Sequence, residues 1–357
     1  MGIGRNELCL CKSGKKYKKC CALNENEYVK YLDPRIPDGE VMVRQFDKDK
    51  VVTTCLHPNN HDCTKLQGAH AISEKRVLKK ISDQNGKILK LYLGYNEQQN
   101  LSVKIREIGT GKASVFYGFC NKHDSIFQPI DNLDYNPVDE TQNFLFSYRA
   151  FCFEYHQLNE SIKANQKLFK ESKKVHEDVS KILSMLNRQK NRLDEYLNKY
   201  NEYILSTDYS NIIYRCFIFQ GQSQIAVASA ISPFYDIENN EITSEIKNSK
   251  SIGLNIFPQD TCTYVVFSWF KDDNDSFIKL ITQFENLSIE NQINYLNNMV
   301  PLYARRSLFL SPLLWSRLSI EERNALKATY HPSFVHLISH KNLLNKPKYN
   351  IFRTISH

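Results

Sequence analysis

Gly4-Arg5-Asn6-Glu7-Leu8-Cys9-Leu10-Cys11-Lys12-Ser13-Gly14-Lys15-Lys16-Tyr17-Lys18-Lys19-Cys20-Cys21 stands near the start of a chain of 357 residues. Two short cysteine pairs are separated by eight residues. Each pair can present two sulfurs from one turn, and the loop between them can fold both pairs onto one ion. Four thiolates at this spacing, Cys9, Cys11, Cys20 and Cys21, can therefore close a tetrahedral zinc site. Gly14 supplies the backbone freedom a tight turn needs, and Tyr17 the apolar surface that so small a unit otherwise lacks. Five lysines lie between Cys11 and Cys20. With Arg5, they compensate the charge of a tetrathiolate zinc and leave a basic face. That face, carried by Arg5, Lys15, Lys16, Lys18 and Lys19, is expected either to contact phosphate or an acidic protein or to be simply solvated.

These residues resemble the SEC-C motif, the zinc-binding tail of the preprotein translocase ATPase that also occurs as a stand-alone module in other bacterial proteins. Gly4-Arg5-Asn6, Cys9-x-Cys11, Ser13-Gly14-Lys15-Lys16-Tyr17-Lys18 and the closing Cys20-Cys21 all agree with it. Glu7-Leu8 stands where the family often has Asp-Pro, and Lys12 where it often has Gly. The resemblance implies zinc and a docking role toward proteins or ribosomes, without catalysis. Nothing else in the chain looks like a translocase motor, and a bacterial source is expected.

A second cluster reads Cys55-Leu56-His57-Pro58-Asn59-Asn60-His61-Asp62-Cys63, then Gly68-Ala69-His70-Ala71-Ile72-Ser73, and much later Phe119-Cys120-Asn121-Lys122-His123-Asp124. The simplest ligand set is Cys55, Cys63, Cys120 and His123, with one pair from a knuckle and the other from a strand end running into a helix. This is treble-clef logic, and it predicts a second zinc site. The alternatives are that His57, His61 or His70 completes the site or satisfies a structural hydrogen bond. The same string is similar to the HNH family of ββα-metal nucleases. That resemblance implies His70 as general base for water and Asp124 as ligand to magnesium or another divalent ion at the scissile phosphate. Ala69 stands where the family usually has an Asp or His ligand, and the interval from His70 to Cys120 is longer than usual. The module is therefore expected to bind rather than cut.

Composition places the chain among ordinary globular proteins, with 41% hydrophobic and 24% charged residues and a formal net charge of +8. A basic excess of this size is compatible with nucleic acid without requiring it. No apolar run reaches the roughly 18 to 20 residues of a membrane helix, and the N-terminus lacks a signal-peptide core. The expectation is a cytoplasmic protein with no membrane partner. Seven of the ten cysteines fall within the first 120 residues, interleaved with histidines. In a chain without a secretory signal, metal ligation explains that better than disulfides.

Turn and periodicity signals divide the chain into a zinc knuckle (1–23), an α+β treble-clef or HNH-like zinc module (36–135), a helical arm (139–204) and an α+β C-terminal domain (205–357). The fold class is α+β, with a long helical hairpin or coiled-coil arm between the two α+β units. Asn24–Glu27 reads as a linker. Strands are expected at Val41–Phe46, Ile88–Leu93, Leu101–Ile108 and Ser114–Phe119, with a helix at Glu74–Ile81 capped by Ser73. Gly109–Ser114 fails as a phosphate loop and reads as a hairpin turn. In the arm, Val175, Val179, Ile182, Leu186, Leu193, Tyr196, Tyr200 and Ile204 recur at helical steps. A hairpin packed on its own protein and a coiled coil that makes a homo-oligomer both fit. The last unit predicts strands at Ile212–Phe219, Ile225–Ile231 and Thr263–Phe270, and helices at Ser276–Phe284, Ile289–Met299 and Ile320–Thr329.

For function, the residues predict a zinc-dependent module that engages nucleic acid, a ribosome or a protein. The alternatives are a metal-dependent endonuclease, in a context such as defence against foreign DNA, and an oligomeric adaptor.

Overall fold

The computed structural model describes residues 4–9, 13–20, 54–63, 65–95, 101–171, 176–242, 250–330 and 341–354. The expected linker Asn24–Glu27 and strand Val41–Phe46 lie outside them. Two compact units emerge. One gathers Met1–Thr53, Gly94–Leu101 and Tyr155–Lys199, the other Thr54–Leu93, Ser102–Glu154 and Tyr200–His357.

The larger unit is built on two antiparallel sheets. The small one pairs β1 (Leu66–His70) with β4 (Val115–Cys120). The large one has seven strands in the order β3-β2-β9-β6-β7-β8-β5. Their ranges are β2 Lys87–Tyr95, β3 Leu101–Gly109, β5 Ile212–Gln220, β6 Ile225–Ile231, β7 Ile252–Gln259, β8 Cys262–Phe270 and β9 Leu308–Leu310. Strands expected to lie in separate modules are thus hydrogen-bonded into one sheet, because β9 pairs with β2 on one side and β6 on the other. The turn at Gly109–Ser114 is likewise no hairpin turn, since the strands on either side of it belong to different sheets.

Burial explains the strand sequences. β6 and β7 are covered along nearly their whole length, and such strands read as apolar runs rather than as alternations. On one face, Val227, Leu254, Ile256, Val265 and Phe267 pack against Phe277, Ile281 and Phe284 of α6 (Asn274–Glu285) and Leu296 and Val300 of α7 (Ile289–Tyr303). The other face meets the first half of α4 (Glu140–Glu171). There Ser268 Oγ donates to Ser147 Oγ at 2.8 Å, and Phe146 stacks on Phe257 at 4.9 Å between centroids. Gly253 is forced by that face, since a Cβ would lie 2.3 Å from Ser268 Oγ. Serines cap the helices. Ser288 accepts from Asn291 N–H at α7, and Ser319 forms a capping box with Glu322 at α9 (Ile320–Thr329), each cap contributing about 1 kcal/mol.

In the smaller unit the outer parts of α4 and α5 (His176–Ser206) lie antiparallel. Tyr155 donates to Asp194 Oδ1 at 2.6 Å, and Lys190 Nζ donates to both residues. The buried face of α5 follows the expected one only in part. Val179, Leu183, Leu193 and Tyr196 are buried, whereas Ile182 is 40% exposed and Val175 lies outside the described residues. Helix against helix therefore uses the Leu183 register. Among the described residues, no helix is long and apolar enough to cross a membrane.

Candidate metal centres

In the N-terminal knuckle, Leu8 and Lys16 form an isolated antiparallel bridge, and Cys9 N–H donates to Lys15 O at 2.8 Å. Gly14 turns the chain between them at φ +71°, in the left-handed region where other residues are strained. The 3-10 turn Tyr17–Lys19 then delivers Cys20, whose Sγ lies 2.9 Å from Ser13 Oγ. Cys9 is buried. Cys11 and Cys21 lie outside the described residues. Tyr17, expected to give the knuckle its apolar surface, has its ring 5.7 Å from that of fully buried Phe169 of α4, a partner far away in sequence. Arg5, Lys15, Lys16 and Lys19 are exposed and Lys18 is half-buried. Lys18 N–H donates to Arg5 O, so these basic residues are neighbours.

The second centre gathers residues far apart in sequence. Cys55, Cys63, Cys120 and His123 offer ligand atoms that all lie within 4.8 Å of one another. His123 Nδ1 is 3.5 Å from Cys55 Sγ, 3.2 Å from Cys63 Sγ and 3.4 Å from Cys120 Sγ, and the Cys63 and Cys120 sulfurs are 3.5 Å apart. Ligands at zinc bond lengths around a tetrahedron stand about 3.8 Å apart for two sulfurs and about 3.6 Å for sulfur and nitrogen. The donor set and its spacing fit zinc.

Local sequence explains the convergence. Cys120 ends β4 and is the N-cap of the short helix α2 (Asn121–Asp124), which carries His123 one turn on. Leu56 N–H donates to Gly118 O at 2.8 Å and Asn60 Nδ2 to Cys55 O at 2.9 Å, which fix the Cys55–Cys63 loop beside that strand. Gly118 must lack a side chain, because a Cβ would meet the Phe116 ring at 2.4 Å and Leu56 Cδ1 at 3.2 Å.

Electrostatics separates the thiols. Burial pushes Cys55 up, and Cys63 rises to about 12 through desolvation and its thiol neighbours. Burial also acts against the Cys120 thiolate, but hydrogen bonds led by the His123 backbone N–H outweigh it and hold Cys120 below the ordinary value. Three thiolates this close repel one another until a dication joins them.

The other histidines do different work. His57 stacks on His123 at 3.8 Å between centroids, and its Nδ1 accepts from Asn59 N–H. Burial holds it neutral, with a pKa of about 4. The Asn59 bond agrees with the structural hydrogen bond that the sequence offered as an alternative to ligation, whereas the stacking on His123 was not legible there. His61 is exposed and pairs with Asp62. His70 ends β1 with Nε2 3.3 Å from Thr110 O. Asp124, at the end of α2, is raised mainly by burial and senses the charges of Arg149, Asp131 and His70. Arg149, 2% exposed, places Nη1 2.9 Å from both Asp131 carboxylate oxygens, while its Nε and Nη2 have no hydrogen-bond partner.

A family model described as the SEC-C motif matches residues 5–23. No curated protein and no solved structure matches the chain. The chain thus carries a SEC-C motif at its N-terminal knuckle and, separately, a Cys3His cluster fit to hold a metal. Both point to zinc.

Proposed function

We propose that this is a zinc-dependent interaction protein of the bacterial cytoplasm, with one zinc in the knuckle and a second in a treble-clef-like module, and that it docks on nucleic acid or a nucleic-acid-rich particle. The observation that carries it is the coincidence of a built Cys3His cluster with a motif unit whose Arg5, Lys15, Lys16 and Lys19 are exposed around buried Cys9. Zinc makes the small unit rigid, and the cations give it a polyanion-binding face. Such binding weakens steeply with salt, each phosphate contact adding roughly one to the log–log slope. The test is nucleic-acid affinity of the full chain across a salt series, with zinc quantified in the same samples. Two zinc ions per chain, and a smaller salt slope on changing Lys15, Lys16 and Lys19 to Gln, are expected. An affinity indifferent to those three changes would overturn the reading.

A second reading, metal-dependent cleavage of nucleic acid, is favoured by one observation: the backbone carbonyl of Thr110 holds His70 Nε2. A proton on that nitrogen leaves Nδ1 as the acceptor a general base needs. In this reading Asp124 holds magnesium or a similar ion. His70→Ala would then abolish nicking with zinc content and fold unchanged, and equal metal-dependent nicking by both proteins would remove His70 from the mechanism.

A further inference from the structure

In the Cys3His cluster one sulfur stands apart from the other three ligands in its access to solvent. Cys55, Cys120 and His123 are 3%, 2% and 6% exposed. Cys63 is half-buried, and it ends a loop whose Asn59, Asn60, His61 and Asp62 are all exposed. A small solute arriving from water therefore meets this cluster at Cys63 first.

A second sulfur already lies beside it. Cys63 Sγ is 3.5 Å from Cys120 Sγ and 3.2 Å from His123 Nδ1. Cys120 is held at the end of β4, and the loop is held against that strand by Leu56 N–H bonded to Gly118 O and by Asn60 Nδ2 bonded to Cys55 O. A covalent bond between the two sulfurs needs them to approach by about 1.5 Å, less than one rotamer change moves a sulfur.

We propose that Cys63 is an oxidation site for peroxide, and that its conversion to a disulfide with Cys120 expels the metal from this cluster. The proposal rests on the reading of the cluster as a zinc site. Zinc holds both sulfurs as thiolates, the nucleophilic form. The Cys63 thiolate attacks one oxygen of hydrogen peroxide, the O–O bond breaks, and the departing hydroxide takes up a proton to become water, leaving Cys63 as a sulfenic acid. The Cys120 thiolate then attacks the Cys63 sulfur, the S–O bond breaks, and a second hydroxide leaves as water. Two thiolates, one peroxide and two protons thus give one disulfide and two waters, and two electrons pass from the sulfurs to the peroxide. Only Cys55 and His123 remain for the ion, which is half of a tetrahedral set, and it dissociates. The new bond joins the loop to the end of β4 in the metal's place, so those segments stay together while His123 and α2 are released from the ion. A thiol reductant reverses the step.

The test exposes the zinc-loaded full chain to a small molar excess of hydrogen peroxide, with released zinc read by a chromogenic chelator and disulfides mapped by mass spectrometry. Digestion with trypsin and a protease that cuts before aspartate puts Cys55 and Cys63 on separate peptides, because Asp62 stands between them. A Cys63–Cys120 bond is expected, with one zinc per chain released in step with it and regained on reduction and re-addition of zinc. Cys63→His keeps a fourth ligand without an oxidisable sulfur, and should release that zinc at least about tenfold more slowly. If this variant takes up no zinc beforehand, the wild-type disulfide map decides alone. The ion of this cluster is the one that Cys120→Ala should lack before any peroxide is added, and an unchanged zinc content in Cys120→Ala would overturn the zinc reading and this proposal together. Zinc held at the start and kept through the oxidation, or lost with Cys63 unmodified or bonded to a residue other than Cys120, would overturn the proposal alone.

Discussion

The knuckle and the Cys3His cluster offer similar chemistry through opposite architectures. In the knuckle, Cys9 and Cys20 are eleven positions apart, and the chain between them is shaped by a single bridge, a left-handed glycine and a 3-10 turn. In the cluster, Cys55 and His123 are 68 positions apart and meet because β1 and β4 pair and α2 starts directly after Cys120. On the proposed reading, the first would depend on its ion for rigidity, since so little apolar surface surrounds it. The second is embedded in a unit with a large core of its own, and a metal held there would tie distant segments of that unit together. Metal loss in the knuckle would then be a local event, and in the cluster a loss shared by the whole unit.

The largest effect should come from Cys120→Ala, which removes a buried candidate ligand at the point where β4 runs into α2. It should lower zinc content by one per chain and destabilise the larger unit by about 4 kcal/mol or more, read from urea unfolding. Cys9→Ala should also lose one zinc but leave the main unfolding transition where it was. Hydrogen exchange should rise only in the knuckle and at the Phe169 segment it touches. If both variants shifted the main transition equally, the contrast between the sites would fail.

The two glycines sharpen it further. Gly118→Ala inserts a methyl group against Phe116 and Leu56, with a cost of about 1–3 kcal/mol. Gly14→Ala meets nothing within 4 Å but strains a positive φ, for about 1 kcal/mol confined to the knuckle. A larger global loss from Gly14→Ala than from Gly118→Ala would contradict the assignment of local and shared roles.

The smallest effect is a control at a residue that belongs to neither thiol cluster. Burial opposes ionised Asp236, yet bonds from Asn240, Lys279 and Gln283 outweigh it and hold its carboxyl below the ordinary 3.8. Because the folded value is depressed, its stabilisation is complete above the unfolded value and disappears as pH falls through the folded one. Asp236→Asn should therefore cost about 1–2 kcal/mol at neutral pH and nothing at about pH 2. A deficit unchanged in acid would mean the side chain acts through packing instead.

What could be read in the sequence follows the same division between local and shared. The knuckle's turn was legible because the cysteine spacing and Gly14 are neighbours in sequence, whereas the Tyr17 partner Phe169 is remote and was not. The Cys55, Cys63, Cys120 and His123 set was legible because Cys120-x-x-His123 has ligand spacing at a strand end. β7 was not. Gly253, Asn255 and Pro258 read as breakers, yet Gly253 is needed for the approach of β8 and Asn255 Nδ2 bonds Phe146 O. β9 is too short to give a periodic signal, and its joining of β2 to β6 is a long-range fact that no window of sequence contains. On α5, the choice between Ile182 and Leu183 depends on which turn faces α4, and helical spacing alone leaves that open. Charging Leu193, 1% exposed, would accordingly break the fold before it reported on association.

The placement of β9 also sets an order of events during synthesis. The β2 and β3 segments leave the ribosome about two hundred residues before Leu308, so these early strands wait for nearly the whole polypeptide before the sheet can close around them. Pairings this distant are slow and leave edges exposed meanwhile. A nascent chain halted ahead of Arg305 would hold β2 and β6 with nothing to join them, and would need protection from other chains until the last strand was made.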